Sequence, residues 1–347
     1  MNIPLLSRIC ETPGAPGFED RIRKLVLESL SSMDVEVSVD NMGNVTALKK
    51  GRSDTKSAMC AAHMDEIGFI VTHIDDNGFL RFHTLGGFDP KTLTAQRVIV
   101  HGSQDVIGVM GSKPIHIMAP EERNKAPKIK DYFIDLGLPK EEVEKIVSIG
   151  DAVTRERGLI EMGNTVNCKS IDNRVSVYIL LETLRQLEEP AYDFYGVFTV
   201  QEEVGLRGAD VSAMAIKPDF GFGLDTTIAF DTPGAPAHER VTSLGKGTAI
   251  KIMDARTICD RRMVAYMKQT ADKHSITWQP EILTAGGTDT ASLQRQVPGG
   301  SIAGAISIPT RNIHSVIEMA DKGDIQASVD LLTACVNELD QYDWSWK

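Results

Sequence analysis

The stretch AAHMDEIGFIV, residues 61–71, sets His63, Asp65 and Glu66 inside an apolar run that reads as a buried strand. Unpaired charge is costly in such a setting, so something must neutralise it. Similar polar groups recur wherever an apolar run ends. Asp172 stands in SIDNR ahead of a long helical pattern, Glu202 and Glu203 follow YGVFTV, Asp225 closes GFGLD, and His314 follows IAGAISIPTRNI. In open α/β sheets, functional groups gather at the carboxyl ends of strands, so these five places can converge. Converged, they supply two imidazoles and four or five carboxylates, with no thiolate. That donor set suits zinc, cobalt or manganese. The surplus of carboxylate points to two ions, which at roughly 3.5–4 Å apart need a shared anionic bridge. On this reading, metal neutralises the polar cluster at residues 63–66.

Each position also has an ordinary reading. Asp172 suits the N-cap of the helix it precedes. Glu202 and Glu203 suit first-turn acids of a helix, and Asp225 suits a turn. Singly these readings are adequate; together they leave the ordered recurrence unexplained. His73, His83, His101, His116, His238 and His274 lack such surroundings and are read as structural. GKGTAIK lacks the spacing of a phosphate-binding loop.

The elements that must position these groups are legible in the apolar pattern. Phe18, Ile22, Leu25, Val26 and Leu30 repeat at helical spacing, and VEVSVDNMGNVTALKKG reads as a hairpin. SAMCAAHMD is an interior strand. From about residue 70 to about 160, short β segments with glycine turns and one charged helix, PKEEVEKIVSIGD, predict an inserted β-rich domain. Beyond residue 170, helices and strands alternate. The expected fold is therefore α/β, a mixed sheet covered by helices on both faces. Residues 1–69 and 161–347 form its main domain, and residues 70–160 form a small inserted β-barrel-like domain.

With 37 basic and 48 acidic residues, the 347-residue chain carries a net charge of −11. Such acidity argues against nucleic-acid or anionic-membrane partners. No apolar run reaches the roughly 18 residues of a membrane span. Five scattered cysteines without a CxxC pair are read as buried thiols in a reducing cytoplasm.

Taken in order, His63-Met-Asp65-Glu66, Asp172-Asn173-Arg174, Glu202-Glu203-Val-Gly205, Asp225, GGTD and IPTRNIHS resemble the co-catalytic metallo-aminopeptidases of the tetrahedral and glutamyl aminopeptidase type. Members of that family often carry the label endoglucanase. The resemblance implies a zinc-exopeptidase-like fold and two divalent ions, zinc or cobalt first, manganese next. It implies that His63 and Asp225 bind one ion, Glu203 and His314 the other, and that Asp172 bridges the two, the peptide joining it to Asn173 being often cis in that family. Asp65 is then expected to hold the second ring nitrogen of His63, and Glu202 to be the general base toward the metal-bridging water. Thr288 and Asp289 are expected to line the substrate pocket. The implied partners are short peptides, and the implied assembly is a homo-oligomer whose inserted domain pairs subunits into dimers of a dodecamer.

Two departures stand out. Thr290 replaces the small residue common after GGTD, and Asn312 replaces an aromatic common before the last IHS. Neither is a ligand position; both bear on pocket shape. Two other functions compete. A glycoside hydrolase needs paired carboxyls with aromatic platforms, but aromatics make up only 6% of the chain. A related carboxypeptidase or deacylase needs a cationic clamp, for which Arg174, Arg207 and Arg311 are the candidates.

Overall fold

Side chains alternate across the strand Ser53–His63, and both of its faces are covered over the second half. Ala58, Cys60 and Ala62 pack into one apolar cluster with the helices Ile171–Gln186 and Lys322–Glu338. Met59 and Ala61 pack into another with Ala213 and Leu293, from helices Arg207–Ile216 and Thr290–Arg295. Small residues on this strand let helices approach both faces, the arrangement predicted for a covered α/β sheet. The sequence pattern marks only that apolar half; the polar start of the strand, SDTK, carries no strand signal.

The computed structural model describes residues 1–346. In chain order the strands are β1 (Glu36–Val39), β2 (Val45–Lys49) and β3 (Ser53–His63). Next come β4 (Gly68–Ile74), β5 (Leu80–Leu85), β6 (Arg97–His101), β7 (Asp105–Gly111), β8 (Phe133–Asp135) and β9 (Ala152–Arg155). Then follow β10 (Ile160–Met162), β11 (Thr165–Cys168), β12 (Tyr192–Thr199), β13 (Phe220–Ile228) and β14 (Thr248–Met253). The last are β15 (Trp278–Ile282), β16 (Ile302–Arg311) and β17 (Glu318–Asp321).

The large sheet runs β1-β2-β12-β3-β13-β16-β17-β11-β10, with β14 and β15 branching from β16. Its centre is parallel: β12 with β3, β3 with β13, and β13 with β16. Four carboxyl ends therefore point toward one edge of the sheet. The register puts His63 opposite Thr199 and Asp225 opposite Ser307. Asp225 was expected at a strand end, yet β13 continues three residues further, to Ile228. Pairing of β13 with β3 ends at Gly223 opposite Ala61, so Asp225 lies past the last paired residue, buried beside His63.

Strands β4 to β9 close into a separate barrel in the order β4-β5-β8-β7-β6-β9. Phe69, Leu80, Val98, Val100, Ile134 and Val153 fill it. The barrel begins at Gly68, directly after the HMDE turn, while β10 and β11 return to the large sheet. Helix Ile3–Glu11, capped by the Asn2 side chain on Leu5 N–H at 3.1 Å, and the short helix Thr290–Arg295 were not anticipated. The first does carry its signals, Asn2 and Pro4 at its start and Leu6, Ile9 and Cys10 buried at helical spacing. No helix of the described residues is long and apolar enough to cross a membrane.

Candidate active site

β3, β12, β13 and β16 deliver their loops to one edge, and helix Ile171–Gln186 enters from the side. Asp172 sits at that helix's first turn with non-helical torsions, and its peptide with Asn173 is cis. Its two carboxylate oxygens face different partners: Oδ1 lies 3.6 Å from His63 Nε2, and Oδ2 lies 3.3 Å from His314 Nε2. Asp225 Oδ1 stands 3.8 Å from His63 Nε2, and Glu203 Oε1 stands 3.5 Å from His314 Nε2. His63, Asp172 and Asp225 form one group of potential ligands, and Asp172, Glu203 and His314 form another. They share Asp172, whose Oδ1 is buried without a hydrogen-bond partner. An orphaned anionic oxygen between two such groups is where a cation belongs.

The titration behaviour agrees. Burial, with Asp225 and Glu203 nearby, pushes the Glu202 carboxyl well above its usual range, although His63 opposes this. Burial likewise pushes Asp225 up, and raises Glu203 to about 7. Burial would lower both imidazoles, but Glu202 with Asp172 outweighs it at His63, and Glu203 with Asp172 raises His314 to about 10. Asp172 is held low because both histidines outweigh its burial. Divalent ions among these groups would supply the positive charge that the clustered carboxylates call for. The residues fit a metal centre.

Several expectations change in detail. Asp65 was expected to hold His63 through its second ring nitrogen, and the group that does so is its carbonyl. His63 Nδ1 donates to the Asp65 carbonyl at 3.0 Å, and the carboxylate is 3.5 Å away. That bond still leaves the Nε2 lone pair facing Asp172 and Asp225. The Asp65 carboxylate accepts the Glu202 and Glu203 N–H groups, both at 3.1 Å. It thus pins the turn that lets two adjacent glutamates face one site; Gln201 and Leu206 take left-handed torsions there. Glu66, which the sequence reading grouped with the metal-neutralised residues, is instead paired with Lys169 and lies 3.7 Å from Arg174.

Thr288 lines a cavity of about 600 Å³ that also holds the two histidines, Asp172, Glu202, Glu203 and Asp225. Asp289 does not line it; it is buried behind, accepting the Thr199 hydroxyl at 2.6 Å. Asn312 does line it, in a left-handed conformation.

One further residue escaped the sequence reading. Glu318, fully buried, accepts Asp172 N–H through Oε2 and His314 N–H through Oε1, both at 2.8 Å. It ties the shared ligand to the distal histidine. Its only sequence signal is its place four residues after His314, in IHSVIEM.

The M42 glutamyl aminopeptidase family matches residues 43–331. The chain belongs to that family. As an M42 protein it is a peptide hydrolase that uses divalent metal. A putative aminopeptidase of Acetivibrio thermocellus is 38% identical over 333 residues, 96% of this chain and 97% of that one. The solved aminopeptidase of the archaeon Desulfurococcus kamchatkensis has a TM-score of 0.93 and 38% identity, covering 97% of this chain and 94% of that one. The Pyrococcus horikoshii TET1 peptidase, described as able to assemble into a tetrahedron or a large octahedral shell, has a TM-score of 0.87 and 30% identity, covering 97% and 99%. A Thermotoga maritima structure called endoglucanase is also similar, with a TM-score of 0.79 and 31% identity over 96% of each chain. That label thus sits within the aminopeptidase family and marks no separate glycosidase fold.

Proposed function

We propose that this M42 protein is a two-metal aminopeptidase that removes N-terminal residues from short peptides. One observation carries the reading: Asp172 turns one oxygen to the His63–Asp225 side and the other to the His314–Glu203 side. Four carboxylates, Asp172, Glu202, Glu203 and Asp225, meet two imidazoles, and two divalent charges cancel the four negative ones. In this reading His63 and Asp225 hold one ion, Glu203 and His314 the other, and Asp172 both. The donor chemistry favours zinc or cobalt, with manganese next. Bound there, the ions would supply Lewis acidity toward the scissile carbonyl and toward water, and an anchor for the substrate's free α-amine.

The chain's own groups do the rest. Glu202 is buried at the cavity wall with Oε2 3.7 Å from His63 Nε2, and burial raises its proton affinity. It takes a proton from the attacking water and returns it to the leaving amine. Asp65 fixes both the His63 ring and the Glu202 backbone, so the base and its neighbouring ligand move as one unit.

The competing functions find less support. Arg174 donates to the Ile9, Thr12 and Met64 carbonyls, Arg311 is bidentate to Asp231 at 2.6 and 2.7 Å, and Arg207 bonds Gln201. None of the three lines the cavity, so none of them is placed to clamp a substrate carboxylate there. Phe230 is the single aromatic side chain lining it, too little for stacking sugars.

Assembly through the barrel into dimers and a hollow dodecamer is part of the proposal. Ile107, Val109, Ile115 and Ile117 are exposed along and beside β7, an apolar patch suited to a subunit contact. Five buried free thiols suit a reducing cytoplasm.

Replacing Glu202 by Gln tests the assignment of the base. The variant is expected to bind metal as wild type does and to lose about 10²–10⁴-fold in kcat. A wild-type kcat would show that another group moves the proton.

A further inference from the structure

Beyond its ligand-bearing end, the cavity is walled by Ile228, Phe230, Leu283, Ala285, Thr310 and Ile313. Ile228 and Phe230 remain 42% and 37% exposed. Two large apolar side chains open to one cavity make a contiguous patch, the kind of surface that takes an apolar group of a ligand. Of the described residues that line the cavity, Lys251 carries the one charge outside the proposed ligands and Glu202.

That charge is already engaged. The Lys251 ammonium lies 3.2 Å from Asp254 Oδ2 and 3.3 Å from Glu281 Oε1, and all three residues are buried. Asp254 Oδ1 accepts the Arg256 and Thr257 amides, and Glu281 accepts the Thr227 hydroxyl at 2.7 Å. A carboxylate entering the cavity would meet an ammonium already shared by two acids, and those acids would repel it. A substrate ammonium would find no carboxylate on this wall outside the proposed ligands and Glu202. Either charge would be desolvated against this wall without a free partner, which is how an apolar site rejects a charged competitor.

We infer that the side chain of the substrate's first residue lies against this apolar wall, so that the enzyme selects uncharged residues of leucine or methionine size over lysine, arginine, glutamate and aspartate. The inference rests on the aminopeptidase reading above and adds its substrate class. Phe230 is then a specificity-determining residue, acting through contact area with the side chain and leaving the reacting atoms alone.

The test is kcat/KM for leucine, methionine, alanine, lysine and glutamate p-nitroanilides with metal-loaded protein, for wild type and Phe230→Ala. Leucine and methionine should exceed lysine and glutamate by at least about tenfold, and Phe230→Ala should lower the leucine-to-alanine ratio by about five- to tenfold. Lysine or glutamate as best substrate, or a ratio unmoved by Phe230→Ala, overturns the inference while the aminopeptidase reading stands. No cleavage of any free-amine substrate by metal-loaded protein overturns both.

Discussion

Glu318→Gln is the substitution most revealing of how the metal centre is held. In the wild-type protein both carboxylate oxygens accept backbone N–H groups, Asp172 at 2.8 Å and His314 at 2.8 Å. Glutamine is nearly isosteric but can present only one oxygen. Its amide NH2 must then oppose one of those N–H groups, donor against donor. Losing one hydrogen bond to a charged acceptor costs about 1.5–3 kcal/mol, and a buried N–H left unsatisfied costs about 1–3 kcal/mol. Local relaxation recovers part of this by rotating either Asp172 or His314 away from its partner ligands. Outer groups that orient metal ligands are worth about 10–100-fold in affinity, which is about 1.4–2.8 kcal/mol and fits the hydrogen-bond estimate. The assay is calorimetric titration of zinc or cobalt into chelator-stripped protein, with thermal unfolding followed in EDTA. The variant should remain folded in EDTA and bind metal about 10–100-fold more weakly, with kcat falling more than KM changes. Wild-type affinity in a folded Glu318→Gln protein would refute the idea that Glu318 couples the two ligand groups.

Other consequences can be checked directly. Gly86 has φ +97°, and a Cβ there would meet Ile67 Cγ2 at 2.5 Å and Glu203 Cβ at 3.3 Å. Gly86→Ala should therefore cost about 1–3 kcal/mol in thermal unfolding and weaken metal binding by displacing Glu203; wild-type values of both would show the loop to be compliant. Asp105 on β7 is drawn from its usual 3.8 to about 2 by its hydrogen bond with Arg21, against partial burial and with His101 helping. Because the folded value is the lower one, its stabilisation is complete above the unfolded value and fades as pH falls toward 2. Discounted for solvent exposure, the pair is worth about 1 kcal/mol. Asp105→Asn should thus lower Tm by about 1–3 °C at pH 7, with a difference that shrinks in acid. A gap that stays constant with pH would assign the effect to packing.

The parts of this structure most readable in the sequence were those where one residue pattern served both fold and site. Strands β3, β12, β13 and β16 carry polar groups at, near or just past their carboxyl ends, and because they are parallel those ends gather on one side. Order along the chain was therefore enough to suggest that His63, Glu203, Asp225 and His314 converge, while their roles rested on the family resemblance. What escaped was backbone chemistry. Asp65 uses its carbonyl on His63 and its carboxylate on two amides, a division of labour that depends on the turn at Gln201. Glu318 acts through N–H groups, so no partner residue type marks it. Asp289 was expected in the pocket together with Thr288 from the GGTD motif, but next to the helix start at Thr290 it accepts the buried Thr199 hydroxyl. Glu66 shows the same limit from the electrostatic side. Its compensating cations, Lys169 and Arg174, lie more than a hundred residues away in sequence.

The most direct single measurement is a metal titration of chelator-stripped protein, read by cleavage of leucine p-nitroanilide and of its N-acetylated form. Cleavage of the free amine alone, rising to saturation at two equivalents of zinc or cobalt per chain, is the result expected of a two-metal aminopeptidase. Chelator-insensitive cleavage, saturation at one equivalent, or equal cleavage of the acetylated substrate would contradict it.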